Sequence, residues 1–372
     1  MTNSKGRGRK LTPSKTLLLM GACGGTCEFP GCGKPLIFEK ITGKSENLSN
    51  FAHIVAASPN GPRGDESSHD KSDQPENFIV LCPEHHKLID SSEHRREFPV
   101  ERLIAMKDEH RQFVQRFRLS LKLHRAFIVI LTGSFGNNVP LIDSQKAAAS
   151  IFPIFSASGE VSRIELKAPF GLNIESDIFW ETVKVDLDQQ FTIKVLNALE
   201  ERRQLAVFGL APIPCLAYLG LRLGCGSNIQ LFPVYRDQSL AWKLDEPSLT
   251  FEIEKIKQSN ETPLQALLIE ISGKIDREKV LVDGNTPTTM FSLRVNSPEI
   301  DCVKSREDLV NFSKKYIEVL DQFDCSRPIY IFAAVPQTIA IELGRQLLAK
   351  HGETVIMHCV NDIYVKGITL KR

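Results

Sequence analysis

The sequence lacks any long hydrophobic run, which excludes a membrane-spanning helix. Its longest apolar runs, such as residues 126–131, are far shorter than the roughly 20 residues that cross a bilayer. The first ten residues also lack the apolar core that a secretory signal peptide carries. We therefore expect a soluble, cytoplasmic protein with no membrane partner.

The sequence also lacks a strong charge of either sign. Its formal net charge is +1, with 18 basic against 15 acidic residues in 1–120 and 28 against 30 in 121–372. A protein that coats DNA is usually far more basic. If this chain binds DNA, the contacts must be local or must need several copies together. The basic segment 1–16 predicts either a frayed terminus or an arm that contacts phosphate; its cations are Lys5, Arg7, Arg9, Lys10 and Lys15.

What the sequence does contain is enough apolar residues for two domains. Its 372 residues exceed one ordinary core, and 42% hydrophobic and 24% charged residues indicate a globular fold. A change of character near residue 120 predicts domains at 1–120 and 121–372. In the first, we expect a short helix or strand at 16–20, strands at 50–56 and 77–81, a helix from Pro83, and an amphipathic connector helix over 99–123.

Four potential zinc ligands are spaced as two close pairs. Structural zinc takes thiolates and imidazoles, usually in such pairs and with tetrahedral geometry. One pair lies on a Gly/Pro-rich knuckle, and the other at a predicted helix start, where the helix dipole favours thiolate. The predicted ligands are Cys27, Cys32, Cys82 and His85.

Cys23 is a possible alternative ligand, because Cys23 and Cys27, with three residues between them, could also form a close pair. We favour Cys27 with Cys32, because Pro30 and Gly31 make the turn between them. The remaining cysteines lie among apolar neighbours, so we expect buried structural thiols at Cys215, Cys225, Cys302, Cys325 and Cys359.

A second group of polar residues predicts hard-metal chemistry. His86 and Asp90 are four residues apart on a predicted helix, so both face one side and could bind Mg²⁺ or another divalent ion. His53 is a possible general base, because neutral imidazole can take a proton from water near pH 7. Asn77 either orients His53 or holds the intervening loop through its amide.

The second domain contains a repeated strand–loop–helix unit. Phe208 pairs with Phe332, and Gly220 with Gly344, at one offset of 124 residues. The strands at 229–234 and 353–358 keep this offset, and the opening strands near 126 and 266 also match. The continuous apolar strands predict parallel sheets. We therefore predict a duplication into two α/β lobes, at about 121–260 and 261–372, with helices at 215–223 and 339–348.

The N-terminal residues resemble the HNH endonucleases, or ββα-metal nucleases, over about residues 20–95. His53, Asn77 and His86 carry the resemblance, with the zinc pairs around them. It implies an α+β domain with a structural Zn²⁺ and a catalytic Mg²⁺ or another divalent ion, in which these three residues are catalytic. Many family members have an acidic residue or a histidine before the catalytic histidine, whereas this chain has Ala52.

The remainder resembles SAVED, the sensor of CBASS antiphage systems, in segments 208–214 and 334–345. SAVED domains resemble two fused CARF lobes, in agreement with the duplication. The resemblance implies that a cyclic di- or trinucleotide, made by a partner nucleotidyltransferase during phage infection, binds this domain. Binding would drive a homo-oligomer, such as a dimer, to assemble further, so that the HNH domains degrade double-stranded DNA in abortive infection.

The loops after Phe208 and Phe332 lie where α/β sheets bind nucleotides, because backbone N–H groups and helix dipoles face the ligand there. The residues that we expect around the ligand, with Trp242 or Tyr364 for base stacking, are Ser134, Phe135, Trp242, Pro336, Gln337, Thr338 and Tyr364.

Three hypotheses follow from these observations. The first is a cyclic-oligonucleotide-activated, metal-dependent DNA endonuclease. The second is a zinc-stabilised nucleotide sensor whose nuclease site is degenerate at Ala52. The third is an ungated, restriction-type HNH nuclease with an unrelated second domain.

Overall fold

The structure is a computed structural model that describes residues 11–37, 46–135, 141–243, 248–258 and 264–372. The chain forms two compact units, Met1–Lys122 and Leu123–Arg372. Most of the predicted basic arm, residues 1–10, lies outside the described residues. Among the helices that are described, none is long and apolar enough to cross a membrane.

The first unit is an antiparallel hairpin with helices packed around it. In the hairpin, Ala52 lies opposite Ile79 and His53 opposite Phe78. Its elements are α1 (Pro13–Ala22), β1 (Asn50–His53), α2 (Ser68–Lys71), β2 (Phe78–Leu81), α3 (Pro83–Asp90) and α4 (Val100–Ser120), with 3-10 turns at Pro75–Asn77 and Arg95–Glu97.

Strand β1 is shorter than the sequence predicted, because beyond His53 side chains bind the carbonyl of Ile54 and both backbone groups of Val55. The amide of Asn77 binds both the N–H and the carbonyl of Val55, each at 2.8 Å. The Nε of Arg63 donates to the carbonyl of Ile54 at 2.9 Å. The chain therefore leaves the hairpin at His53, and Asn77 itself lies in the 3-10 turn before β2.

The segment 16–20 belongs to α1, a helix that begins at Pro13 after the side chain of Thr12 caps it. Lys15 lies on this helix and binds Asp73 at 2.9 Å, so it does not belong to an extended arm. Helix α4 is the predicted connector helix.

The second unit begins with a four-stranded parallel sheet in the order β4-β3-β5-β6. Its central strand β3 is buried over most of its length, as the continuous apolar run predicted. The elements are β3 (Arg125–Ser134), α5 (Ser144–Ser150), β4 (Ser156–Lys167), α6 (Asp177–Lys194), α7 (Leu196–Glu200), β5 (Gln204–Leu210), α8 (Ile213–Leu223) and β6 (Ile229–Leu231).

A six-stranded sheet follows in the order β12-β11-β10-β8-β9-β7. Its four inner strands are parallel, and the edge strands β7 and β12 are antiparallel. Strand β7 belongs to this sheet, so the second sheet begins before the lobe boundary expected at about residue 260. The elements are β7 (Phe251–Lys257), β8 (Gln265–Glu270), β9 (Thr289–Val295), α9 (Arg306–Leu320), β10 (Ile329–Ala334), α10 (Gln337–Arg345), β11 (Thr354–Val360) and β12 (Ile363–Leu370).

Helices α8 and α10 pack against each other through the glycines that matched at the offset of 124. A Cβ atom on Gly220 would overlap the carbonyl of Ile341, and one on Gly344 would overlap the carbonyl of Ala217. Gly220 and Gly344 differ by 124, and so do their contacts Ala217 and Ile341, so the offset exchanges the two contacts. Such an exchange is the signature of a two-fold relation between the helices. The strand orders β3-β5-β6 and β8-β10-β11 also correspond, so the structure supports the duplication.

The five cysteines of the second unit are not all buried. Cys215 and Cys302 are buried as predicted, but Cys225, Cys325 and Cys359 are exposed. The prediction failed because apolar neighbours in sequence do not bury a residue in a loop or at a strand end: Cys225 follows α8, Cys325 lies in a turn, and Cys359 is near the end of β11.

Candidate functional site

Four metal-binding side chains converge in the first unit. They come from the knuckle around residues 26–35 and from the N-terminal end of α3, and their ligand atoms all lie within 4.8 Å of one another. The Nδ1 atom of the histidine is 3.6 Å from one thiol sulfur and 3.3 Å from another. This cluster consists of Cys27, Cys32, Cys82 and His85.

The spacing of the cluster fits tetrahedral zinc. Zn–S bonds of about 2.3 Å and Zn–N bonds of about 2.0 Å, at tetrahedral angles, place sulfur and nitrogen about 3.6 Å apart. Burial raises the pKa of the Cys27 thiol, and the neighbouring thiols Cys82 and Cys32 raise it further. A bound cation is what would let several thiolates share this buried position.

The surroundings of the cluster fix its geometry. The ring of His85 stacks on Phe29 with centroids 3.9 Å apart and an interplanar angle of 2°. The backbone N–H of Cys82 donates to the sulfur of Cys27 at 3.3 Å. Cys23 is outside the cluster, and its thiol donates to the carbonyl of Met20 at 3.4 Å.

His53, at the end of β1, has a defined ring orientation. Its Nε2 lies 3.1 Å from the carbonyl oxygen of Ser72. Its ring packs against the ring of Phe78, with the two centroids 4.4 Å apart. A carbonyl can only accept, so Nε2 carries the proton and the neutral ring presents Nδ1 as an acceptor. This is the tautomer that a general base working through Nδ1 requires.

Asn77 holds the loop, and the hydrogen bonds of its amide go to Val55 and Lys71 and not to the ring of His53. Besides its two bonds to Val55, its amide donates to the carbonyl of Lys71 at 3.1 Å. Of the two roles that the sequence left open, the contacts support the one in which the amide fixes the loop. The side chain is buried with both its oxygen and its nitrogen paired.

His86 and Asp90 lie on one face of α3, as their spacing predicted. The Nε2 of His86 is 3.5 Å from Asp90 Oδ2, while Asp90 Oδ1 accepts from Arg63 at 2.6 Å. Burial alone would raise the pKa of Asp90, but the hydrogen bonds from His86 and Arg63 outweigh it, so its pKa lies below the ordinary value. The carboxylate is therefore engaged on both oxygens.

Sequence reasoning missed Arg63, whose guanidinium reaches both β1 and α3. It lies in a Gly/Pro-rich, charged loop, where an arginine looks like a solvated surface residue. Ala52, by contrast, is 1% exposed and packs in the apolar core of the first unit. A metal-binding side chain is thus absent at Ala52, and the position points into the core.

The second unit contains a cavity of about 750 Å³ beyond the carboxyl ends of β5, β8 and β10. Of the residues predicted to contact a ligand, Pro336 and Gln337 line it, and Gln337 is the first residue of α10. Its charged side chains were not predicted, because they come from parts of the chain that are distant in sequence: Asp143, Lys146, Arg236 and Asp301.

The two predicted stacking platforms are not in this cavity. Trp242 is buried, and its indole N–H donates to the carbonyl of Leu231 at 3.1 Å. Tyr364 packs edge-on against Phe332, 4.9 Å away, on a sheet face that forms a separate apolar cluster. Both rings therefore pack within the protein, because an aromatic residue near a loop can be buried by a distant strand.

The other predicted contacts are also outside the cavity lining. The ring of Phe135 packs against those of Phe179 and Trp180, with ring centroids 5.5 and 6.0 Å apart. Ser134 is the last residue of β3 and pairs with β4. Thr338 is 3% exposed within α10.

Two family models match separate parts of the chain. The model described as HNH endonuclease matches residues 27–93. The model described as the SMODS-associated and fused to various effectors sensor domain, SAVED, matches residues 187–370. No curated protein sequence gives a match.

Solved structures of SAVED/CARF-domain receptors are similar at low identity. The Acinetobacter baumannii Cap4 receptor with the cyclic trinucleotide 2′3′3′-cAAA is 12% identical, with a TM-score of 0.46 over 82% of this chain and 67% of that receptor. The Moraxella osloensis Cap4 receptor is 12% identical, with a TM-score of 0.43 over 81% of this chain and 71% of that receptor. The two family matches identify an HNH endonuclease domain and a SAVED sensor domain in one chain.

Proposed function

We propose that this protein is a CBASS effector, in which a cyclic di- or trinucleotide bound by the sensor activates metal-dependent hydrolysis of double-stranded DNA. The observation that carries the proposal is the presence of two separate sites in one chain. One holds His53 and His86 beside a zinc-type cluster, and the other is the cavity between the sheets of the sensor.

In the first site, the chain's own residues supply a base and a ligand. Nδ1 of His53 can take the proton of an attacking water, because Nε2 is occupied by the carbonyl of Ser72. Asn77 keeps the loop after β1 in place. His86 would hold a divalent ion such as Mg²⁺, which supplies electrostatic stabilisation of the scissile phosphate when bound. A Zn²⁺ in the cluster of Cys27, Cys32, Cys82 and His85 would fix the knuckle and α3.

In the sensor, the cavity offers chemistry that suits a cyclic nucleotide. Lys146 and Arg236 place cations at its lining, and the N-terminal end of α10 adds free backbone N–H groups at Gln337. Asp143 and Asp301 can accept hydrogen bonds from base or ribose groups. The volume of about 750 Å³ lies in the usual range of small-molecule sites.

Activation would act by assembling copies of the chain. The first 120 residues carry an excess of only three positive charges, so a single chain attracts the DNA backbone weakly. A homo-oligomer that places several HNH domains on one duplex multiplies those contacts.

A plasmid assay tests the proposal. Purified protein is incubated with supercoiled plasmid and Mg²⁺ or Mn²⁺, with and without a panel of cyclic di- and trinucleotides. We expect cleavage only in the presence of one or a few of these ligands. Cleavage without any ligand would favour an ungated nuclease. Tight ligand binding without cleavage of double- or single-stranded DNA would favour a sensor with a degenerate nuclease site.

His53→Ala tests the catalytic assignment. We expect the cleavage rate to fall by at least about 100-fold, the low end of the effect of a general base. The nucleotide affinity, measured by calorimetry, should be unchanged. His94→Ala is the matched control, because His94 is a histidine of the same unit whose ring pairs with Glu93 and Glu97. An active His53→Ala protein would remove His53 from the mechanism.

The cavity is tested by removing its cations. Lys146→Ala with Arg236→Ala should weaken nucleotide affinity by about 10-fold or more, since each cation near a phosphate contributes on the order of 1 kcal/mol. Lys315→Ala is the control, because Lys315 is exposed on α9 and pairs there with Glu318. Unchanged affinity in the cavity variant would place the ligand elsewhere.

A further inference from the structure

Arg63 lies on the tight loop between β1 and α2, and its side chain turns into the protein. Its side chain is 7% exposed, and its φ is +57°, in the left-handed region that favours glycine. The loop leaves little space: a Cβ on Gly61 would lie 2.6 Å from the Cβ of Ala56, and one on Gly64 would lie 2.5 Å from the carbonyl of Ser58. The hydrogen bonds of the Arg63 side chain must therefore hold the residue in this backbone conformation.

The guanidinium makes four hydrogen bonds to two elements. On the β1 side, its Nε donates to the carbonyl of Ile54 at 2.9 Å and its Nη2 to the carbonyl of His53 at 3.2 Å. On the α3 side, its Nη1 donates to the carbonyl of Ile89 at 2.9 Å and its Nη2 to Asp90 Oδ1 at 2.6 Å. Only a planar group with several fixed donors can serve all four acceptors.

These bonds satisfy backbone groups that the two elements leave open. The carbonyls of His53 and Ile54 lie where β1 leaves the hairpin. The carbonyl of Ile89 belongs to the last turn of α3, where no backbone N–H further along the helix is available to donate to it. A cation there is also favoured by the negative end of the helix dipole.

The contacts place Arg63 between the two histidines of the nuclease site. It binds the backbone of His53 directly, and it reaches His86 through Asp90, whose second oxygen lies 3.5 Å from His86 Nε2. A carboxylate can only accept, so this contact sets the proton of the neutral His86 ring on Nε2 and leaves Nδ1 unprotonated.

We propose that Arg63 is a positioning residue that fixes His53 relative to His86, and that Asp90 orients the His86 ring and does not bind the metal itself. The proposal rests on the nuclease function proposed above. It replaces the sequence-based expectation that Asp90 is a ligand of the catalytic ion. The ligand atom that remains on this face of α3 is Nδ1 of His86.

The ring tautomer of His86 provides a test that does not depend on activity. In Asp90→Asn, the amide oxygen must still accept from Arg63, so its NH₂ group faces His86 and the ring must accept through Nε2. We therefore expect His86 to change from the Nε2–H to the Nδ1–H tautomer. Long-range ¹H–¹⁵N spectra of the full chain, labelled at histidine and recorded at about pH 8.5, above the ordinary titration range of imidazole, report this directly. The missing signal of His86→Gln assigns the ring.

Kinetics supply the second measurement. Asp90→Asn and Arg63→Lys should each lower kcat for plasmid cleavage by about 10- to 100-fold, the usual effect of removing a residue that orients a metal ligand, with KM for DNA unchanged. Asp70→Asn and Arg96→Lys, both exposed, are the matched controls.

The outcomes separate this inference from the proposed function. A wild-type protein that cleaves no DNA contradicts the proposed function, but the His86 signal in Asp90→Asn still decides the role of Asp90. An unchanged tautomer in Asp90→Asn overturns that role. Wild-type kcat in a folded Arg63→Lys protein overturns the role of Arg63.

Discussion

At the scale of residues, helix α3 serves two sites because adjacent residues on a helix point about 100° apart. His85 turns toward the thiols of Cys27 and Cys82, whereas His86 turns toward Asp90 one helical turn later. Pro83 at the first helical position fixes where this alternation begins. A shift of the helix start by one residue would disrupt both sites.

The spacing of ligands could be predicted, but the partners of each side chain could not. The pairs Cys27/Cys32 and Cys82/His85 are short-range patterns that a metal requires, so the sequence contains the information. Arg63 has no such pattern, because three of its four acceptors are backbone carbonyls, which any residue provides. Trp242 was misplaced for a similar reason, since its indole N–H binds a carbonyl of β6.

His358 should make the sensor lose stability on acidification. Burial, partly against Trp180 at 4.9 Å, lowers its pKa to about 4. The unfolded chain, with an ordinary pKa near 6.5, binds a proton first. Stability therefore falls as pH drops from about 6.5 to about 4, by at most about 1.4 kcal/mol per pH unit.

The measurement is the thermal midpoint of the sensor between pH 7.5 and 4.5 in wild type and His358→Phe. Phenylalanine keeps a ring against Trp180 but cannot be protonated, so the variant should lose less stability as the pH falls. His351 also has a lowered pKa because of burial, and it contributes equally to both proteins. Parallel pH profiles would contradict the prediction.

At the scale of elements, the repeat was visible in the sequence because close helix packing constrains residue type. Gly220 and Gly344 recur at one offset since no side chain fits where α8 and α10 cross. That the two helices touch each other was not predictable from the repeat. Two copies of a lobe can pack through many faces, and only the tertiary structure selects one.

Alanine at either glycine should destabilise the sensor strongly. The new methyl groups of Gly220→Ala and Gly344→Ala would meet backbone carbonyls of the opposite helix, which cannot move aside as a side chain can. We expect a loss of about 3 kcal/mol or more in the free energy of unfolding, at the upper end for overpacking, measured by urea denaturation. Gly273→Ala, which meets nothing within 4 Å, is the control. The two-fold relation predicts similar losses at the two glycines.

Helix α4 is fixed to the first unit by a buried ion pair. Glu28 is fully buried and accepts from Arg111 at 2.7 Å and from the N–H of Val80 at 2.6 Å. Arg111→Met would leave the carboxylate unpaired and should cost about 3–5 kcal/mol. Adding Glu28→Gln should restore part of this loss, because the neutral amide still accepts from Val80.

Chemical denaturation, followed by a signal from the first unit, tests the expected order of stability. Wild type should be the most stable, the double variant intermediate and Arg111→Met the least stable. Arg116→Met removes an exposed arginine from the same helix and should change stability by less than about 0.5 kcal/mol. A double variant less stable than Arg111→Met alone would show that the cost comes from lost packing and not from the unpaired charge.

At the scale of the whole molecule, the two units differ in what stabilises them. The second unit has a large apolar core that continues through both sheets, whereas the core of the first unit is small and includes three cysteines, two of them cluster ligands. Small domains with few apolar contacts commonly depend on a metal. The stability of the first unit should therefore depend on zinc, and that of the second should not.

Zinc removal should consequently shift only one of two thermal transitions. We expect metal analysis to find about one tightly bound zinc per chain, and calorimetry to resolve two transitions, because the units have separate cores. Cys32→Ser removes one ligand, so it should lose the zinc and lower the first transition while leaving the second in place. Cys325→Ser, an exposed cysteine of the second unit, should keep both the zinc and the two transitions. Protein without zinc, or a Cys32→Ser variant that melts like wild type, would contradict a structural metal at Cys27, Cys32, Cys82 and His85.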